Sequence, residues 1–304
     1  MKMRGTPDVE KIWLKSYPEG MPAEVPEPEH RSLRDMFEHS FRTFPDNTAF
    51  SCMGASLSYR ELDARSMQFA CYLQKSLGLT RGERVALMMP NLLQYAIALC
   101  GVFRAGLVAV NVNPLYTARE LDHQLKDSGA KAIVILENFA NVLEEVIDET
   151  EVKHVVVTGV GDQLGFPKGL IVNAVLRYIK RVVPSYSLPG AVRFNQALKR
   201  GAGETLDSVE QGFADIAFLQ YTGGTTGVSK GAMLSHRNMI YNVDQSRYWQ
   251  KDAYEGVEPI VAITALPLYH IFSLQNNFLM MMAQGGENVL IPNPRDFEGF
   301  VAEL

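Results

Sequence analysis

Apolar residues along this chain switch repeatedly between helical spacing and short unbroken runs. Arg31 to Phe44 repeats them at helical spacing and stops before Pro45. Ser58 and Glu61 form an S-x-x-E pattern, in which each side chain satisfies the other's backbone N–H. It predicts a helix to Lys75, with Gly78 beyond its end. Val85 to Met89 suits a strand buried on both faces. Pro90-Asn91 breaks it, Leu92 to Arg104 reads as a helix, and Leu107 to Val112 is a strand stopped at Asn113-Pro114. Thr117 and Glu120 form a second capping box, whose helix ends near Gly129. Ala132 to Leu136 and Val155 to Thr158 predict strands, with a helical stretch from Phe139 to Glu149 between them. Further on, Ile216 to Tyr221 is a strand, and Ser235 caps a helix through Trp249. Ile260 to Leu266 is a strand, Ile271 to Gln284 a helix closed by Gly285-Gly286, and Asn288 to Ile291 a strand. This alternation means right-handed crossovers and a mostly parallel sheet, so the predicted class is α/β, in αβα layers.

Between Gly165 and Gly201 the rhythm breaks. Lys168, Arg177, Lys180, Arg181, Arg193, Lys199 and Arg200 fall there with no acidic residue, within a protein of net charge −5. Leu170 to Val183 is a basic amphipathic stretch: either a surface for anionic lipid head groups or a solvated insertion. The overall acidity gives no reason to expect nucleic acid as a partner. Hydrophobic content of 47% over 304 residues is ordinary for a globular protein with a sizeable core. Cys52, Cys71 and Cys100 form no C-x-x-C pair and read as buried free thiols in a reducing compartment. The histidines are scattered, with no pair four apart, so no metal site is predicted. Met1 to Pro28 mixes acidic residues and prolines, unlike a signal peptide. Pro259 to Gly286 contains no Asp, Glu, Lys or Arg, but Pro267, His270, Gln275, Asn276 and Asn277 interrupt it. A buried strand and helix fit it better than a membrane span, and the expected location is cytoplasmic. Phe297, Phe300, Val301 and Leu304 keep helical spacing to the last residue, as a truncated element would.

The segment richest in chemistry is Tyr221-Thr222-Gly223-Gly224-Thr225-Thr226-Gly227-Val228-Ser229-Lys230-Gly231-Ala232, which follows an apolar strand. Its glycines let backbone N–H groups approach an oxyanion; its hydroxyls add donors, and Lys230 adds a compact positive charge. Together they suit polyphosphate. The order is not a Walker A loop, since Lys230 follows Ser229 with no G-K-[ST], and there is no G-x-G-x-x-G.

This segment resembles the phosphate-binding signature of the adenylate-forming superfamily of acyl-CoA synthetases, luciferases and peptide-synthetase adenylation domains. Leu266-Pro-Leu-Tyr-His270-Ile-Phe272 is similar to its second signature, an aromatic/His loop beside the acyl carboxylate. Pro90-Asn91 to Gly106 and Val110 to Glu120 match a third. With Pro292 to Asp296, the wording is most similar to bacterial long-chain fatty acid:CoA ligases that feed β-oxidation. The resemblance runs from about Ile12 to Leu304. It implies residues 1–30 as an N-terminal extension and 31–304 as a truncated N-terminal adenylate-forming domain. The basic insertion falls at about 165–201, and the C-terminal domain is absent. It also implies ATP and Mg²⁺ as cofactors, with fatty acid and CoA as substrates. Fatty carboxylate would attack the α-phosphorus of ATP, and CoA thiol would then displace AMP. Thr222 to Gly227 would hold the β- and γ-phosphates, and Lys230 the departing pyrophosphate. His270 would orient the carboxylate or adenylate phosphate, although a lone histidine there also suits a packed core. Leu274 stands where some long-chain members carry a tunnel-gating tryptophan. The later Tyr-Gly-x-Thr-Glu block, whose Glu binds Mg²⁺, the Thr-Gly-Asp block, the hinge and the C-terminal-domain lysine are missing, so these 304 residues alone are expected to be inactive. An anionic inner-membrane surface and a homodimer stand as candidate partners. The alternatives are a non-catalytic nucleotide-binding fragment and a ligase for a different acid.

Overall fold

A computed structural model describes residues 10–222 and 228–303. Gly223, Gly224, Thr225, Thr226, Gly227 and Leu304 therefore lie outside the described residues. Within them the strands are β1 (Thr48–Cys52), β2 (Ala55–Ser58), β3 (Arg84–Met88), β4 (Val108–Asn111), β5 (Ala132–Leu136) and β6 (His154–Thr158), followed by β7 (Val192–Arg193), β8 (Ile216–Thr222), β9 (Lys230–Ser235), β10 (Val261–Thr264) and β11 (Glu287–Leu290). They form a seven-stranded sheet, β7-β6-β5-β3-β4-β8-β9, and a four-stranded sheet, β10-β11-β1-β2. Two pairings are antiparallel, β1 with β2 and β8 with β9; the others are parallel.

The unbroken apolar runs behave as strands covered on both faces. Val85 and Leu87 of β3 join one core, Ala86 and Met88 the other, because successive side chains point to opposite faces. β5 divides likewise, with Ala132 and Val134 on one side and Ile133 and Ile135 on the other. The larger core lies between the two sheets. There the Leu93–Arg104 helix is buried along its whole length, which explains its nearly polar-free sequence. The second core lies under the amphipathic Ala118–Ser128 helix, through Leu121 and Leu125. Both predicted capping boxes form, at Ser58/Glu61 and Thr117/Glu120, and Ser235 caps the His236–Tyr254 helix.

Several expectations change. The stretch from Phe139 to Glu149 is broken into a short α-helix, Ala140–Glu144, and a 3₁₀ turn, Ile147–Glu149. The basic helix begins at Lys168 and passes into a π-helical turn, Val175–Ile179. Its Arg177 does not face solvent alone: together with Arg193 it pairs, at 2.5 and 2.8 Å, with the buried carboxylate of Glu137. β1 and β2 escape the pattern because polar residues interrupt their apolar positions, and β7 because it is only two residues long. β9 escapes it because its apolar run is just Ala232 to Leu234. All three cysteines are buried and none is in a disulfide among the described residues, and no helix among the described residues is long and apolar enough to cross a membrane.

Candidate functional site

β3 is the centre of the large sheet: β4 lies on one side and β5 on the other, so the strand order reverses there. In open α/β sheets ligands bind beyond the carboxyl ends of the strands near such a reversal. Asn91 follows β3, Asn111 ends β4, and Gln220 lies near the end of β8. Asn91, Asn111 and Gln220 thus converge at this edge.

Lys230 is on the hairpin that the polyphosphate-type segment joins, not in a loop running directly into a helix. It opens β9 opposite Thr222, and Tyr221 pairs with Gly231. The Tyr221 ring covers Gly231 so closely that a Cβ there would sit 2.9 Å from two ring carbons. A side chain there would have to displace that ring, so glycine serves the packing. The Tyr221 hydroxyl donates to Asp127 Oδ2 at 2.5 Å. Burial, and then this carboxylate, push its pKa above the ordinary tyrosine value. The Ser229 carbonyl accepts from His123 Nε2 at 2.9 Å, which fixes the proton on that nitrogen. Thr222, Val228, Lys230 and Ala232 are exposed.

The Leu266–Phe272 loop is held by buried amides. Asn91 donates to the carbonyls of Thr264 and Leu266 and accepts from the N–H of Leu268. Tyr95 bridges the Leu268 carbonyl and Asn111 Oδ1. Asn111 donates to Gln220 Oε1 at 3.1 Å, and Gln220 donates to the Tyr269 carbonyl at 2.8 Å. Gln124 donates to the Asn111 carbonyl. None of these five side-chain bearers is more than 4% exposed. His270 follows Tyr269 at the start of the Ile271–Ser273 helix and is exposed, so it is not the packed core residue that its surroundings allowed. Leu274 is fully buried in the core between the sheets. The Gln220–Tyr269 bond brings the His270 loop to the strand that leads into the Lys230 hairpin.

Sequence reasoning named Asn91 and Asn111 only as parts of motifs and passed over Tyr95, Gln124 and Gln220. The usable signal was an amide inside a buried apolar run, which is costly unless paired. No group of three or more His, Cys, Asp or Glu among the described residues is placed to hold a metal ion.

The family model of AMP-binding enzymes matches residues 37–304. A long-chain-fatty-acid–CoA ligase of Escherichia coli O6:H1 is 54% identical over 297 residues, covering 97% of this chain and 53% of that protein. One from Bacillus subtilis is 33% identical over 93% of this chain and 50% of its own length. The crystal structure of a long-chain-fatty-acid-CoA ligase from Archaeoglobus fulgidus shares the fold, with a TM-score of 0.71 at 22% identity, over 94% of this chain and 51% of that one. The chain thus spans about half the length of the curated relatives it matches. Over that half, it belongs to the AMP-binding enzyme family.

Proposed function

We propose that this chain is the nucleotide-binding half of an AMP-forming long-chain fatty acid:CoA ligase that supplies acyl-CoA for β-oxidation. The observation that carries the reading is the Gln220–Tyr269 bond, which sets the hairpin of Lys230 beside the loop of His270. The identity to long-chain-fatty-acid–CoA ligases directs the choice of acid. In this reading fatty carboxylate attacks the α-phosphorus of ATP, releasing pyrophosphate, and the thiol of CoA then displaces AMP. An anionic nucleophile meets a polyanion, so positioning and charge neutralisation do most of the catalysis. Residues 222–227 bind the β- and γ-phosphates, Lys230 the pyrophosphate, and His270 orients the carboxylate or the adenylate phosphate. Mg²⁺ would arrive with the nucleotide and offset phosphate charge, and no residue of this chain is assigned to it.

The test is acyl-CoA formation by the longer protein across acid chain lengths, with and without His270→Ala. Preference for long chains and a loss of at least tenfold in kcat/KM support the reading. Preference for aryl or short acids would replace the substrate. The 304-residue chain alone is expected to form no acyl-CoA, and turnover by it, free of host enzyme, would overturn that division of labour.

The basic insertion is proposed to rest on anionic lipid at the cytoplasmic face of the inner membrane. Phe166, Leu170, Ile171, Tyr178, Ile179 and Val182 are exposed beside Lys180 and Arg181, a pairing of apolar and basic groups that suits a bilayer surface. The segment is anchored by Arg177 on Glu137 and by Asn173, which bonds Gly161 N–H and Asp162. Replacing both Lys180 and Arg181 by Glu is expected to reduce co-sedimentation with anionic vesicles, and unchanged binding would sink this assignment.

A further inference from the structure

Lys230 is fixed on both sides by one helix that the reaction scheme does not use. The residue before it, Ser229, is held through its carbonyl by His123. The residue after it, Gly231, lies against the ring of Tyr221, whose hydroxyl is held by Asp127. His123 and Asp127 are four apart on the Ala118–Ser128 helix, so they share one face. Between them, Gln124 ties the same helix to the end of β4 through the Asn111 carbonyl. The Lys230 side chain itself is exposed, on an edge strand whose only neighbour among the described residues is β8. An edge strand held by one ladder has little to set where its first residue stands, and these two contacts supply that constraint.

We propose that His123 and Asp127 are positioning residues for Lys230. They set the place of its ammonium group for a diphosphate while touching no substrate themselves. The inference rests on the reading of Lys230 as a pyrophosphate-binding residue.

The test uses the 304-residue chain and inorganic pyrophosphate, titrated by calorimetry. His123→Leu and Asp127→Ala are each expected to weaken binding about fivefold, the size of one lost hydrogen bond. His123→Gln, which keeps a donor, should recover most of the loss. In a Lys230→Ala background His123→Leu should cost nothing further, because the two act through one group. Amide hydrogen exchange in the segment 228–234 should quicken in His123→Leu and Asp127→Ala while the urea midpoint stays close to that of the unsubstituted chain. A fivefold loss that persists without Lys230, or pyrophosphate binding indifferent to both substitutions, would overturn the inference alone. Absence of pyrophosphate binding by the unsubstituted chain would overturn the assignment of Lys230 and this inference with it.

Discussion

On the His270 side of the candidate site, neutral amides and a tyrosine, all buried, hold the loop to three strand ends. On the Lys230 side, an exposed edge strand is held by its ladder to β8 and by contacts from a single helix. Under the proposed roles, the contrast matches the charge each side would handle. A carboxylate-orienting loop gains from a rigid, dry frame of neutral groups, whose bonds strengthen when water is excluded. The Lys230 side chain is exposed on its edge strand, open to a polyanion from solvent. The same edge of one sheet therefore carries a buried amide frame and an exposed lysine.

The contrast is broken most forcefully by removing a buried amide. Asn111→Leu leaves Gln220 Oε1 without its donor and takes one of two acceptors from the Tyr95 hydroxyl. A loss of about 3 kcal/mol of unfolding free energy is expected, from desolvated groups left unpaired, and urea denaturation measures it. Loss below 1 kcal/mol would mean that the network adds little.

A second effect appears where the hairpin returns to the core. His236, directly after β9, is fully buried and its Nδ1 accepts the Leu33 N–H at 3.1 Å. Burial pushes its pKa from 6.5 down to about 4, against the opposing pull of Asp215. Protonation would remove the lone pair that Leu33 uses. Between these values the unfolded chain binds the proton and the folded chain does not, so stability rises with pH. About 2 kcal/mol should be lost between pH 7.5 and pH 5, and His236→Asn should remove most of that slope in urea titrations at the two pH values. An equal slope in the variant would assign it to other groups.

The smallest effect belongs to the exposed side. Tyr221→Phe removes one hydrogen bond to a carboxylate on the surface of the helix and should cost about 1 kcal/mol or less. A loss equal to that of Asn111→Leu would erase the distinction between the two sides.

Most of the framework was legible in the sequence. Strands β3, β5 and β6 announce themselves as unbroken apolar runs, and Ser58/Glu61 and Thr117/Glu120 mark helix starts through local bonding alone. Most of what the pattern concealed depends on distant partners. β1 pairs with β11 across more than two hundred residues, and nothing within Thr48–Cys52 points to that neighbour. β9 was missed for a local reason: its apolar run is just Ala232 to Leu234, and among the described residues it pairs only with the preceding strand, β8. The inward turn of Arg177 onto Glu137 was invisible for the same reason as the pairing of β1, since a basic helix has the same sequence whether one of its arginines faces water or a buried carboxylate. The segment Tyr221 to Ala232 was conspicuous, whereas the amides that organise the adjoining loop were not. Gln220 and Asn111 are single polar letters in apolar strands, and their meaning lies in facing each other.

The most direct test of the account is titration of ATP into the 304-residue chain and into its Lys230→Ala variant. Saturable binding that the substitution weakens by about tenfold, the worth of roughly 1.4 kcal/mol, is the expected result. No binding by the unsubstituted chain, or equal affinity in the two, would contradict the placement of the nucleotide phosphates at the β8–β9 hairpin.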